Sequence, residues 1–171
     1  MSVLSRDEIV KAIEAGDIKI TPYDEKAIGS ASIDLTLGNE FRVFKKNQGT
    51  IDVTEATNYQ DFSEKFVLAP GETFELEPGQ MCLGITEETI DLSSKYCGLL
   101  EGRSRFARLG LFVHISAGFM NPGIKNRQVL EIFNASSNKL KLHPGTKFCQ
   151  FVFMELKGNA VYHGRFANNT L

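Results

Sequence analysis

Hydrophobic residues near the start of the sequence recur at helical spacing. Residues 5–8 have the form S-x-x-E, a capping box that provides partners for the free backbone N–H groups of a helix start. Apolar residues follow at helical spacing, and Gly16 suits the helix end because glycine readily adopts a left-handed conformation. We therefore predict a helix from about Arg6 to Ala15.

Beyond that helix, apolar and polar residues alternate in short runs, and Pro-Gly turn signals fall between several of them. The alternation predicts strands at Ser32–Leu37, Glu40–Phe44, Phe74–Leu76, Met81–Ile85, Tyr96–Leu100, Leu111–Ile115, Val129–Phe133, Leu140–Leu142 and Phe148–Leu156. Residues 104–109 instead have the pattern of a short helix that ends at Gly110. The predicted fold class is mainly β, a sandwich or barrel with an N-terminal helix and one short internal helix.

Length and composition fit a single domain over residues 1–171, with 42% hydrophobic and 23% charged residues. Apolar runs are too short for a membrane span and the first residues lack a signal-peptide pattern, so we expect no membrane association. Three widely spaced cysteines favour neither a disulfide framework nor a metal site, and they suggest a reducing, cytoplasmic location. The polar stretch 47–64 is expected to be a long surface excursion.

Positive charge is concentrated in one part of an acidic chain. The net charge of −2 argues against general nucleic-acid binding, yet the segment from Glu101 to Arg127 alone carries +4. Such an island suits a small polyanion. Residues 102–104, Gly-Arg-Ser, precede the short helix, and a helix start with an arginine and a hydroxyl can hold phosphate. A capped helix with solvated arginines is the alternative, and the pattern leaves both open.

Glu131 stands out because it lies within the apolar run Val129–Phe133. By strand alternation it shares a face with Val129 and Phe133. If that face is buried, the carboxyl must be paired, protonated or functional, and burial raises its pKa toward neutrality, as a general acid–base requires. If the opposite face forms the core instead, Glu131 is a solvated residue. The three histidines show no metal-ligand spacing, and the His-x-Glu and Pro-Cys-x-x-Cys signature of zinc deaminases is lacking.

Several blocks of residues together are similar to the dCTP deaminase branch of the dUTPase superfamily. They are SASIDLTLG at 30–38, LEGRS at 100–104 with ARLGL at 107–111, NPG at 121–123 with VLE at 129–131, and CQ at 149–150. The blocks cover nearly the whole chain in the expected order, and the pattern most resembles the short-tailed form that includes bifunctional dCTP deaminase/dUTP diphosphatases. The resemblance implies a distorted β jelly-roll or barrel of the dUTPase-like type. It also implies a homotrimer with shared active sites and hydrolytic deamination of dCTP to dUTP and ammonia without zinc.

The resemblance further implies individual roles. Glu131 matches the catalytic acid–base, Arg108 and Ser104 match residues that frame the site, and Ala117 matches a backbone position that holds the water and the base. The implied nucleotide-binding residues are Arg103, Ser104, Arg105, Phe106, Ala107, Arg108, Asn121, Val129, Leu130, Glu131, Gln150, Tyr162, Arg165 and Asn169. A carboxylate is a sensible choice because, without a metal to acidify water, another group must accept the proton.

The same resemblance implies how the rest of the site is completed. Residues 103–105 would bind the triphosphate from a neighbouring subunit, and residues 159–171 would form a mobile tail that closes over the phosphates. Mg²⁺ would bind through the triphosphate and not through protein side chains. Residues 114–116 resemble the stretch through which family members respond to dTTP as an inhibitor.

Departures from the family pattern keep other functions open. Asn121 stands where Asp is usual, and an amide cannot act as a base, which bears on dUTP hydrolysis more than on deamination. Arg105 replaces a second serine, Asn126 falls where glycine is usual, and the tail is short. The leading hypothesis is a dCTP deaminase. The alternatives are a bifunctional enzyme or dUTP diphosphatase, and a catalytically degenerate nucleotide-binding paralogue.

Overall fold

The computed structural model of the chain describes residues 2–46, 49–167 and 171. Within that part of the chain, short 3-10 turns at Glu25–Ala27 and Tyr59–Phe62 accompany the helices and strands. The elements are β1 (Ser2–Val3), α1 (Arg6–Glu14), β2 (Ile18–Thr21), β3 (Ile33–Phe44), β4 (Ser63–Val67), β5 (Phe74–Leu76), β6 (Met81–Leu92), β7 (Tyr96–Gly102), α2 (Ser104–Ala107), β8 (Leu111–Phe112), β9 (Phe119–Met120), β10 (Lys125–Asn134), β11 (Leu140–Leu142) and β12 (Lys147–Glu155). The prediction of a mainly β fold with one N-terminal and one short internal helix is confirmed.

The strands form one curled antiparallel sheet and a small second sheet. The path through the large sheet is β8-β10-β6-β3-β12-β7-β9, and β1, β2 and β4 pair with β12, β6 and β3 respectively. Strands β5 and β11 pair only with each other. This order places β10, β6, β3 and β4 side by side, so residues far apart in the sequence share one sheet face.

Helix α1 begins and ends where the sequence predicts. Ser5 is the N-cap, and its hydroxyl accepts a hydrogen bond from the Glu8 backbone N–H at 3.5 Å. Gly16 follows the C-cap with a φ of 77°, the left-handed conformation expected after a helix. Ile9 and Ala12 are buried, so the helix covers the core with the predicted apolar stripe.

The strands depart from the predictions in three ways. The two runs predicted at 32–37 and 40–44 form the single strand β3, because a bulge between Leu37 and Phe41 shifts the register against β6 without ending the pairing. The strand predicted at Leu111–Ile115 stops at Phe112, where the chain turns into a loop. Strands β1, β2, β4 and β9 were not predicted, because each is a run of five residues or fewer, too short to show a clear period in the sequence.

The core lies on one face of the curled sheet. Phe41, Phe151 and Phe153 are fully buried, and Phe41 stacks on Phe74 with ring centroids 4.9 Å apart. Leu130 and Ile132 of β10 point into this core, whereas Val129, Glu131 and Phe133 on the opposite face are only half-buried. The interpretation in which the core lies opposite Glu131 is therefore the right one for the sheet. No helix among the described residues has the length and apolar character to cross a membrane.

Candidate active site

A cavity of about 480 Å³ opens on the half-buried face of β10 and β6. Its floor includes Met81 and Leu83 of β6 and Val129 and Glu131 of β10. The loop at 113–118 and the C-terminal segment form its walls. Glu131 therefore faces neither the core nor open solvent, because it lines a pocket large enough for a small ligand.

One oxygen of Glu131 is held by the loop opposite. Oε2 accepts hydrogen bonds from the Ser116 backbone N–H at 2.8 Å, from the Ser116 hydroxyl at 3.0 Å and from the Ala117 backbone N–H at 3.4 Å. Among the described residues, none donates a hydrogen bond to Oε1. The carboxyl group is thus fixed by one oxygen and can present the other to a ligand.

The environment of Glu131 lowers its pKa. Partial burial by itself raises the pKa, but the backbone hydrogen bond from Ser116, the nearby His114, the Ser116 hydroxyl and the Ala117 N–H stabilise the ionised form and outweigh burial. The expectation that burial would bring this pKa toward neutrality was wrong for the free chain, because it left out the donors of the loop. Glu131 is ionised at neutral pH.

His114 supports the same strand from the cavity wall. Its Nδ1 accepts a hydrogen bond from the Glu131 backbone N–H at 3.2 Å. Nε2 is buried and has no hydrogen-bond partner among the described residues. The resemblance linked residues 114–116 only to regulation, and their role in holding Glu131 was not predicted. The signal in the sequence was a pair of polar residues, His114 and Ser116, in the loop that follows β8.

Five of the predicted site residues meet at this cavity. They are Ala117, Asn121, Val129, Glu131 and Tyr162. Leu130 lies between two of them in sequence, but its side chain is fully buried in the core, so only its backbone can serve a ligand. Arg127 also lines the cavity, where it pairs with Glu40. From the sequence, Arg127 was identified only as one of the positive charges between Glu101 and Arg127.

The predicted phosphate-binding segment lies elsewhere in the chain. Residues 103–108 do not line the cavity. Ser104, Arg105, Ala107 and Arg108 are exposed, and Phe106 packs on Phe148 with ring centroids 5.3 Å apart. A single chain therefore does not bring the arginines of residues 103–108 into one site with Glu131.

Arg103 and Gln150 make hydrogen bonds within the chain. Arg103 donates to the Lys147 backbone carbonyl at 2.7 Å and pairs with Asp34 at 2.9 Å. Gln150 donates to the Gly102 carbonyl at 3.2 Å and accepts from a serine hydroxyl. The polar groups of Arg103 and Gln150 thus bind other groups of the same chain near the start of residues 103–108, which we call the arginine segment.

The C-terminal segment folds against the cavity of its own chain. Tyr162 and Phe166 line the cavity, and the Tyr162 backbone N–H donates to the Pro122 carbonyl at 3.0 Å. Arg165 is exposed, with its guanidinium 5.7 Å from the centre of the Phe166 ring. Asn169, also predicted to bind nucleotide, lies outside the described residues.

Metal-ligand chemistry has no cluster of side chains to support it in the described ranges, where no group of three or more His, Cys, Asp or Glu residues could hold an ion. The three cysteines are free and buried.

A family model and two sequence relatives point to the same family. A family model described as dCTP deaminase-like matches residues 3–156. A dUMP-forming dCTP deaminase of Methanopyrus kandleri is 40% identical over 166 residues, which cover 94% of this chain and 85% of the relative. A dCTP deaminase of Thermomicrobium roseum is 37% identical over 162 residues, which cover 93% of this chain and 82% of the relative.

A solved structure shows the same fold. The crystal structure of a 2′-deoxycytidine 5′-triphosphate deaminase from Agrobacterium tumefaciens matches 88% of this chain with a TM-score of 0.67 and 19% sequence identity. This chain spans 47% of the length of that protein. At that identity the likeness concerns the fold alone, and the predicted dUTPase-like fold is confirmed. The matched family model and the two sequence relatives establish the rest: the chain belongs to the dCTP deaminase-like family.

Proposed function

We propose that this protein catalyses the hydrolytic deamination of dCTP to dUTP and ammonia, with Glu131 as the general acid–base. The observation that carries the proposal is the position of Glu131. Its carboxylate lies in the wall of the cavity, anchored through Oε2 by Ser116 and Ala117, while Oε1 is left for a ligand. A carboxylate that is fixed, ionised and within reach of a bound base is suited to take a proton from water.

The proton transfers balance with this single carboxylate. Water adds to C4 of cytosine, its proton passes to Glu131 Oε1, and Glu131 returns that proton to N3. The tetrahedral intermediate then collapses: the C4–N4 bond breaks, and the proton of the new hydroxyl travels through Glu131 to the departing amine, which leaves as ammonia. A base must be ionised at the start, which agrees with the lowered pKa of Glu131 in the free chain. A bound nucleotide that displaces water strengthens the effect of burial, which raises the pKa of Glu131 and makes its carboxylate a stronger base toward the attacking water.

The triphosphate needs more cationic groups than the cavity of one chain provides, because the arginine that lines it, Arg127, is paired with Glu40. Ser104, Arg105 and Arg108 are exposed and lie apart from that cavity. We therefore propose a homotrimer in which a neighbouring copy supplies this segment to the phosphates. Mg²⁺ is expected to bind the phosphate oxygens of the nucleotide, as this ion commonly does in nucleotide sites.

The test is turnover by the Glu131→Gln variant. Wild-type protein with dCTP and Mg²⁺ should release ammonia and a uracil nucleotide, and the variant should lose about 10²–10⁴-fold in rate while still binding dCTP. The matched control is Glu155→Gln, at an exposed position at the end of β12, which should retain full activity. Tight binding of dCTP by the wild-type protein without any product would instead support a nucleotide-binding paralogue.

A second function is favoured by the relative from Methanopyrus kandleri, which is named as a dUMP-forming dCTP deaminase. A bifunctional enzyme would also hydrolyse dUTP to dUMP and pyrophosphate. Asn121 lines the cavity, and as an amide it could orient water through its carbonyl oxygen but could not take a proton from it. We expect little pyrophosphate from dUTP with the wild-type chain and more with Asn121→Asp. Rapid pyrophosphate release by the wild-type chain would establish the bifunctional activity instead.

A further inference from the structure

The guanidinium of Arg103 is turned into the protein. Nη1 donates to the Lys147 backbone carbonyl at 2.7 Å, and Nη2 pairs with Asp34 Oδ2 at 2.9 Å. Only 21% of the Arg103 side chain and 27% of the Asp34 side chain are exposed. A guanidinium held at both terminal nitrogens in this way is a fixed structural group, and freeing it for a phosphate requires the loss of a charge-assisted hydrogen bond.

A second pair of side chains holds the residue before Arg103. Gln150 Nε2 donates to the Gly102 carbonyl at 3.2 Å, and Gln150 Oε1 accepts from the Ser32 hydroxyl at 3.2 Å. Ser32 and Asp34 belong to the SASIDLTLG block, and Gln150 belongs to the CQ block. Two sequence blocks that contribute nothing to the cavity therefore converge on the start of the arginine segment.

The anchor extends into buried structure through Lys147. Lys147 Nζ lies 3.4 Å from Glu88 Oε1, and the Glu88 side chain is only 6% exposed. Glu88 in turn accepts hydrogen bonds from the Thr36 backbone N–H at 2.8 Å and from the Thr36 hydroxyl at 2.7 Å. Strands β3, β6 and β12 thus share one charged network, which gives the start of the segment a rigid base.

Arg105 and Arg108 are in a different situation. Both are exposed, and neither forms an ion pair with a residue in the described parts of the chain. Their charges are available to an anion, whereas that of Arg103 is already neutralised by Asp34.

We infer that Arg103 is a positioning residue which, held by Asp34 and supported by the Ser32–Gln150 pair, sets the arginine segment so that Arg105 and Arg108 contact the phosphates of the nucleotide. The inference rests on the proposed function, because it presumes a nucleotide triphosphate as ligand. It assigns Asp34, which does not line the cavity, to phosphate affinity.

The two possible roles of Arg103 predict opposite effects of Asp34→Asn. If Arg103 positions the segment, loss of the Asp34 charge loosens it, and the Kd and KM for dCTP rise about three- to tenfold, the size expected for losing one charge-assisted hydrogen bond at a partly exposed position. The kcat stays within about twofold, and the Kd for deoxycytidine, which has no phosphates, does not change. If Arg103 instead contacts phosphate, Asp34→Asn frees it, and dCTP binds as tightly as before or more tightly.

The experiment measures dCTP, dUTP and deoxycytidine binding by calorimetry, together with turnover. The variants are Asp34→Asn, Arg103→Gln, their double variant and Ser32→Ala, which should give a smaller rise in Kd of about twofold. The control is Asp17→Asn, which removes an ion pair of the same 2.9 Å length, with a similarly buried carboxylate, on another part of the molecule. Comparable thermal unfolding of all variants shows that they are folded.

The dCTP affinities of the variants distinguish the two roles of Arg103. A weaker dCTP affinity in Asp34→Asn, with a double variant no weaker than Arg103→Gln alone, supports the inference. Unchanged or tighter dCTP binding in Asp34→Asn overturns it, and so do losses that multiply in the double variant, since Asp34 would then act independently of Arg103. Binding of dCTP without turnover by the wild-type protein refutes the proposed deamination but still allows the binding comparison to decide. Failure of the wild-type protein to bind dCTP or dUTP overturns both.

Discussion

Removal of the Ser116 hydroxyl should raise the pKa of Glu131. The hydroxyl is one of three donors to Oε2, at 3.0 Å, and Ser116→Ala deletes it while keeping the two backbone N–H donors of residues 116 and 117. Because these donors stabilise only the ionised carboxylate, losing one moves the pKa upward toward the ordinary value of 4.5.

The size of this shift follows from the exposure of the donor. A hydrogen bond to a charged group contributes about 1.5–3 kcal/mol when protected from water, and exposed Ser116 should contribute about 1 kcal/mol. Since one pKa unit corresponds to about 1.4 kcal/mol, the expected rise is about 0.7 unit.

The assay is the pH dependence of kcat/KM for dCTP. Activity needs ionised Glu131, so the acidic limb of the profile should move up by about 0.7 pH unit in Ser116→Ala. The half-buried Ser94, whose hydroxyl donates a hydrogen bond to Asn159, provides the control substitution Ser94→Ala, which should leave the limb in place. An acidic limb that does not move, or moves down, would refute the reasoning.

Ser116→Ala should also lower the free energy of unfolding, by an amount that depends on pH. The pKa of Glu131 is lower in the folded chain than its ordinary value, so ionised Glu131 stabilises the fold above about pH 4.5, and this contribution is lost as the pH falls through the lowered folded value. Ser116→Ala should therefore reduce the free energy of unfolding at neutral pH by about 1 kcal/mol. The difference between the two proteins should shrink toward acidic pH.

Two other substitutions test the packing around the site and the core. Gly98→Ala would place a Cβ 2.1 Å from Phe151 Cε1 and should lower the free energy of unfolding by about 1–3 kcal/mol or more in denaturant titrations, whereas Gly29→Ala, with its nearest atom at 3.5 Å, should not. Asn126→Gly removes the side chain whose Nδ2 donates a hydrogen bond to the Phe166 carbonyl at 3.1 Å. Because this bond holds the C-terminal segment, tryptic cleavage after Arg165 should become about fivefold faster in the variant. An unchanged cleavage rate would show that the bond does not hold the segment.

Local patterns predicted much of the fold. Helix α1 was predictable because its N-cap and its apolar stripe lie within one short window, and Phe74–Leu76 and Leu140–Leu142 have the predicted bounds because turns enclose them on both sides. The single strand β3 was not predictable in the same way: Gly38 suggests a strand end, but continued pairing of residues 41–43 with β6 holds the strand through a bulge.

The candidate site illustrates the same limit. The alternation of β10 placed Glu131 on one face with Val129 and Phe133 and left the burial of that face open. It could not show that Ser116, fifteen residues away, closes over that face and reverses the direction of the pKa shift. The resemblance to a family supplied the residues of the arginine segment. Their separation from the cavity depends on sheet order, which no local pattern contains.

Strand β3 separates the two parts of the proposed site within one chain. Asp34, which holds Arg103, lies near its start, and Arg42, which is level with Leu83 and so with Glu131 across the sheet, lies near its end. Eight residues of β3 measure roughly 25 Å along the strand. In the proposed homotrimer, a substitution in the arginine segment of one copy would weaken binding in a neighbour's cavity, and in an assembly of mixed chains each pocket would combine residues of two different chains.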